Sequence, residues 1–280
     1  MPESKVNYYF GRLNILASYK DKRKFILEGL RTKKIIEKRK FLWGFFDIQE
    51  IESEIGTIFY GNLVKYFPVK REKIVETQDH KLGEKSIENK VIGSSSFFIH
   101  VYSSLIAYHP KSGIINRNQF TKTFCEIFEE AYERMFVDIE IQSIDEQFKV
   151  IETLKKFSKI LKIRISLHPS NPSNRDLWAK VDERLKKLHA GSYQEQISAK
   201  PNTKGLLNIE EDEDIKSKIS MSEDGYGETR VDGIINNEKK TISTKDNPIR
   251  ARAPRDEEDP KKVFNSLIST FKKLLKRFNK

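Results

Sequence analysis

The sequence is most informative first in what it lacks. Cys125 is the only cysteine among 280 residues, which excludes an internal disulfide and any cysteine-rich metal site. Its setting, FTKTFCEIFEEAY, is helical and apolar, so a buried packing thiol is expected rather than a nucleophile. No stretch approaches the roughly 18 apolar residues of a membrane span. The opening MPESKVNYYFGR has no signal-peptide core, so the expected location is cytoplasmic. There is no Gly-Lys-Ser/Thr phosphate loop and no zinc motif. Asp138 and Glu140 share one face of an alternating segment, as in metal-dependent nucleases, but Gln142 stands where such a site needs lysine. Neither a metal nor a cofactor is expected.

Acidic charge is the next deficit. The chain carries 52 Lys and Arg against 41 Asp and Glu, a formal net charge of +11. Tyr19–Lys40 holds +7 of this and Asp259–Lys280 holds +6, leaving the other residues at −2. Charge gathered in this way is the sequence footprint of a polyanion-binding protein, although a lysine-rich solvent face produces the same pattern. Lys22, Arg23, Lys24, Arg31, Lys33, Lys34, Lys38, Arg39 and Lys40 are the candidate phosphate-binding residues of the first segment. Lys272, Lys273, Lys276 and Arg277 are those of the second. Aromatic residues accompany the first segment (Tyr8, Tyr9, Phe25, Phe41 and Trp43) and could stack on bases, or simply fill a core.

Patterning predicts an α+β protein. Residues 1–117 read as an antiparallel β-rich region. KVNYYFGRLNILASY, KFLWGFFDIQEI and GTIFYGNLVKYFPV have strand composition, and SSSFFIHVYSSLIAYHP suggests a hairpin turning near Ser103–Ser104. Residues 118–245 read as an α/β region, with Asn118 capping a first helix and Asp145 opening a second. Its β-α-β-α-β order suggests two overlapping βαβ units, followed by a hairpin turning at Asn236–Asn237. Gly225, Gly227 and Gly233 lack the strand and helix of a dinucleotide fingerprint and read as backbone bends. Residues 246–258 read as a linker. Residues 259–280 form a basic amphipathic helix started by Asp259 and Pro260. Val263, Phe264, Leu267, Ile268, Phe271, Leu274, Leu275 and Phe278 make its apolar stripe, available to the protein's own body, to a protein partner or to an anionic membrane surface.

ILKIRISLHPSNPSNRDLW, residues 160–178, carries two further candidates. His168 ends a strand. With His100 and His109 it could supply acid–base groups to a metal-independent ribonuclease. Arg175 follows a turn where Ser173 or Asn174 could cap a helix, a candidate anion site.

RISLHPSNPSNRDLW and EDGYGETRVDGIINNEKKTISTKDNP resemble phrases of an uncharacterised bacterial domain family. The resemblance runs from YYFGRLNI to the last hairpin and leaves out the basic terminal helix. Members of that family occur near phage-defence and mobile-element genes. The resemblance therefore implies a bacterial setting, with antiviral defence as one context, and assigns no catalytic residue. The combined expectation is a nucleic-acid-binding component, contacting RNA or single strands, of a defence or toxin system. The alternatives are the histidine ribonuclease and an interaction subunit that docks through its last helix.

Overall fold

The computed structural model describes residues 4–15, 22–76, 81–133, 138–170, 175–200, 207, 209, 211–255 and 259–278. The α+β expectation holds: the strands form two antiparallel sheets, with helices packed against both.

The larger sheet is built on β1 (Lys5–Ile15), a run of alternating residues with different roles on its two faces. Tyr9, Leu13 and Ile15 face a core shared with α1 (Lys22–Leu30) and α2 (Arg117–Ala131). Val6, Tyr8 and Phe10 face a second core beneath α6 (Pro260–Phe278). Arg12 and Asn14 continue that second face, so alternation alone delivers a buried arginine to the α6 side. The strands β2 (Ile36–Lys38), β3 (Phe41–Ser53), β4 (Gly56–Glu76), β5 (Lys81–His100), β6 (Leu105–Tyr108) and β12 (Arg250–Pro254) complete the order β12-β1-β6-β5-β4-β3-β2. β7 (Ile139–Ser143) pairs with the C-terminal half of β1, and β12 with its N-terminal half. The β5–β6 turn lies at the expected place, with Ser104 at φ 54°. The cap of α2 is Asn116 rather than Asn118, in a reciprocal capping box with Gln119. Cys125 is buried as expected, and burial pushes its thiol pKa up.

Past Tyr66 and Val91, β4 and β5 pair only with each other. The distal hairpin thus leaves the sheet as a two-stranded arm, its ladder running from Phe67↔Lys90 to Glu76↔Lys81. Val69 and Leu82 on the arm are 57% and 72% exposed.

The smaller sheet has the order β11-β10-β8-β9, from β8 (Lys159–Leu167), β9 (Tyr193–Ser198), β10 (Gly227–Ile235) and β11 (Glu238–Ser243). The short helices α3 (Lys149–Leu154), α4 (Ala179–Lys187) and α5 (Glu213–Glu223) cover one of its faces, around Trp178, Ile163, Ile219 and Val231. The elements follow in the predicted order, but the βαβ crossovers do not form. β7 joins the larger sheet, whereas β8 pairs antiparallel with both β9 and β10. Alternation and segment length report strand character but not pairing direction. The Asn236–Asn237 turn is as expected, both residues at positive φ (50° and 65°). Gly227, at φ 150°, lies so close to β8 that a Cβ would meet the Ser166 carbonyl oxygen at 2.0 Å.

Two further boundaries are corrected. The segment 246–258, read as a linker, contains β12, because its Arg250–Pro254 run finds the free edge of β1. The helix expected to open at Asp145 shrinks to α3, and Asp145 is buried instead. The apolar stripe of α6 also has a partner: Val263, Phe264, Leu267, Phe271, Leu274 and Phe278 are all buried in the second core. Each contributes roughly 1.5–3 kcal/mol by leaving water, so the stripe belongs to the body and is not a free docking face.

Candidate nucleic-acid interface

The junction between the two sheets is built around one carboxylate. Asp224 caps the end of α5 and is fully buried. Trp178 Nε1 donates to its Oδ2 at 2.7 Å, and Arg175 Nη1 donates to the same oxygen at 3.0 Å. Arg277 Nη2 lies 2.6 Å from Oδ1, and Arg277 Nη1 donates to the Asp145 backbone oxygen at 2.7 Å. Arg12 Nε donates to the Asp224 backbone oxygen at 2.8 Å, and its guanidinium sits between the rings of Tyr226 and Phe278 at 4.3 and 4.1 Å. One aspartate thus ties together β1, the turn before α4, α5 and the last turn of α6. Arginine suits this role because its planar fork donates in several directions without losing its charge.

Two more acids lie beside this knot. Glu223 accepts from the Phe148 and Val150 backbone N–H groups, both at 2.9 Å. Burial nevertheless pushes its pKa up to about 7, against the pull of those two N–H groups. Burial, reinforced by the charge of Glu223, raises Asp145 to about 8. The Asn247 backbone N–H favours its ionised form, yet neither Asp145 carboxylate oxygen has a well-formed hydrogen bond among the described residues.

Above the knot opens a cavity of about 1470 Å³. The basic face of α6 supplies Lys273, Lys276 and Arg277. The 146–149 turn contributes Phe148 and Lys149, and the 246–250 segment contributes Arg250. Arg117 at the start of α2 and Tyr9 on β1 complete the wall, with Arg175 behind. Seven cationic side chains therefore line it against two acidic residues, Glu146 and Asp246. Arg175 and Arg277 are engaged by Asp224. Arg117, Lys149, Arg250, Lys273 and Lys276 have no carboxylate partner among the described residues. Five cations around one concavity raise the local potential for an anion well above that of a scattered surface.

Sequence reasoning found Arg175, Lys273, Lys276 and Arg277 but misread two of them as free cations. Arg175 is buried on Asp224 and sits ahead of a helix that starts only at Ala179, so it is not a helix-terminus anion site. Ser173 and Asn174, the expected caps, lie outside the described residues. Sequence reasoning missed Arg117, Lys149 and Arg250, which lie outside both basic segments in sequence and meet only through the fold. Lys272 points elsewhere, 2.6 Å from Glu54.

The first basic segment does not join this cavity. Its β2 part lies at the opposite edge of the larger sheet from β12, and its α1 part packs with α2 on the core that faces away from α6. Several of its cations are matched: Lys24 with Glu28, Arg31 with Glu50, and Lys38 with Glu126. Arg23 lies against Tyr102, and Lys40 against the Phe41 and Phe67 rings. Lys33, Lys34 and Arg39 are exposed; the Lys22 side chain lies outside the described residues. Of the aromatics expected to stack, Tyr8, Phe25 and Trp43 are buried.

The three histidines are not brought together. His100 is buried, bonded to Ser103 Oγ at 2.7 Å and the Ile55 carbonyl at 2.9 Å, and burial lowers its pKa. His109 aligns with Ser96, four residues back along β5, and its Nδ1 meets the Asn7 carbonyl. His168 bridges the two sheets instead. Its Nε2 lies 3.4 Å from Glu140, whose carboxylate raises the histidine pKa, while its Nδ1 meets the Gly191 carbonyl. Glu140 is lowered in turn. Gln142, the residue in the nuclease lysine position, donates to Glu140. The Asp138/Glu140 face therefore serves a histidine tie, and no metal-holding group of His, Cys, Asp and Glu occurs among the described residues.

Residues 6–273 match the family model described as a domain of unknown function, DUF4747. The chain belongs to that family. The DUF4747 match extends through most of α6, so the terminal helix, outside the resemblance read from sequence, is part of the family domain. No curated protein shows a significant match. No helix among the described DUF4747 residues is long and apolar enough to cross a membrane.

Proposed function

We propose that this protein binds nucleic acid through the cleft between α6, the 146–149 turn and the 246–250 segment. The observation that carries the reading is the set of five lysines and arginines that line one cavity without carboxylate partners among the described residues. Phosphates spaced along a polymer can engage several of them at once, and release of condensed counterions drives the association. The knot on Asp224 supports the reading by holding the walls at fixed separation, so little ordering cost falls on binding. The bacterial defence or toxin setting rests on the family resemblance alone and suits a binding subunit of this kind. The ribonuclease alternative loses its footing with three separated histidines.

Fluorescence anisotropy with a short labelled oligonucleotide over a salt series tests this. The wild-type affinity is expected to fall steeply with salt. A Lys149→Gln/Lys273→Gln/Lys276→Gln variant should bind at least tenfold more weakly. Its salt slope should be shallower by roughly 0.7 for each single-strand phosphate that the variant no longer neutralises. Equal affinity and slope in the two proteins would remove the cleft as the binding surface.

A further inference from the structure

Resting on the cleft reading above, we infer that Phe148 is a base-stacking platform that makes the cleft select single-stranded nucleic acid with an unpaired base. An exposed phenylalanine is ordinary on its own. Three observations set this one apart. Its backbone is left-handed, φ 61° and ψ 9°, a conformation that a bulky residue adopts only where surrounding structure imposes it. Its backbone is anchored by the buried Glu223, whose carboxylate accepts from the N–H of Phe148 and that of Val150. The residue is 40% exposed, its ring stacks on no other ring or cation among the described residues, and it lines the cationic cavity beside Lys149. Tyr9, the other aromatic of the cavity, is already engaged, with Arg117 5.1 Å over its ring.

A pinned aromatic without a stacking partner, set among unpaired cations, is the arrangement by which single strands are held: cations meet the backbone and a ring meets a base. A duplex keeps its bases stacked inside and offers the ring nothing. The N-terminus of α3 plays no part, because Glu223 already occupies its N–H groups.

The test compares a single-stranded oligonucleotide, an abasic strand of equal length and charge, a duplex, and inorganic polyphosphate, using wild type, Phe148→Asn and Phe148→Trp. Asparagine tolerates the left-handed backbone, so Phe148→Asn should keep the fold while removing the ring. The expected result is a preference of about tenfold for the single strand over the abasic strand, the scale of one stacked base. That preference is lost in Phe148→Asn and kept in Phe148→Trp, with the salt slope unchanged throughout. If wild type binds abasic strand, duplex or polyphosphate as well as the single strand, or if Phe148→Asn keeps the preference, the stacking role is wrong while the cleft stands. If none of the four polymers binds, the cleft reading itself fails.

Discussion

At the scale of single residues, Asp224 carries the greatest consequence. Asp224→Ala leaves Arg175 and Arg277 buried without their counter-charge, a loss of about 3–5 kcal/mol, to be read as a lower urea midpoint. Asp145 gives a pH test. Its pKa is raised on folding to about 8, so the folded chain holds a proton that the unfolded chain has released. That contribution is present at acid pH and is lost as the pH rises towards 8. Asp145→Asn is therefore expected to raise the melting temperature by a few degrees at pH 8.5, with a smaller gain at pH 5. Equal gains at both pH values would show that the carboxylate does not titrate there. His168 also has a raised pKa, and its tie to Glu140 should weaken as the histidine deprotonates. Glu140→Gln should accordingly cost more stability at pH 6 than at pH 9. None of these roles was legible locally. Arg12 meets Asp224 across 212 positions, and no spacing rule reaches that far. His168 and Arg175 read as site residues because their neighbours in sequence do not reveal which acid each will find.

At the scale of elements, the period-3.6 stripe of α6 and the alternation of β1, β8 and β10 were plain, because burial on one face writes itself into the order of residues. Their partners were not. The distal β4–β5 arm was missed for a physical reason: none of its described side chains is buried, so it lacks the apolar alternation that marks a half-buried strand. A ribbon without a third strand is marginal in water, so amide exchange should quicken sharply beyond Tyr66 and Val91. Uniform protection along the whole hairpin would mean that something else holds the arm. α6 makes the opposite case. Phe271 is fully buried against Phe10 and Phe264, and Phe271→Ala should cost about 3–5 kcal/mol. A cost below about 1 kcal/mol, far under the range for a buried aromatic, would imply that the helix detaches freely from the body.

At the scale of the whole molecule, one fold divides the positive charge into two unlike regions. The edge near β2 carries exposed lysines, several of its cations matched with acids. The seam between the sheets gathers unpaired cations around a cavity walled by the terminal helix. The excess of basic residues was visible from composition, but not the division, since Arg117, Lys149 and Arg250 belong to neither basic run. Photo-crosslinking of a bound single strand, with the attached peptides identified by mass spectrometry, decides between the regions directly. The cleft account requires crosslinks in the 146–149 turn, the 246–250 segment and the last two turns of α6. Crosslinks confined to residues 22–40 would contradict it.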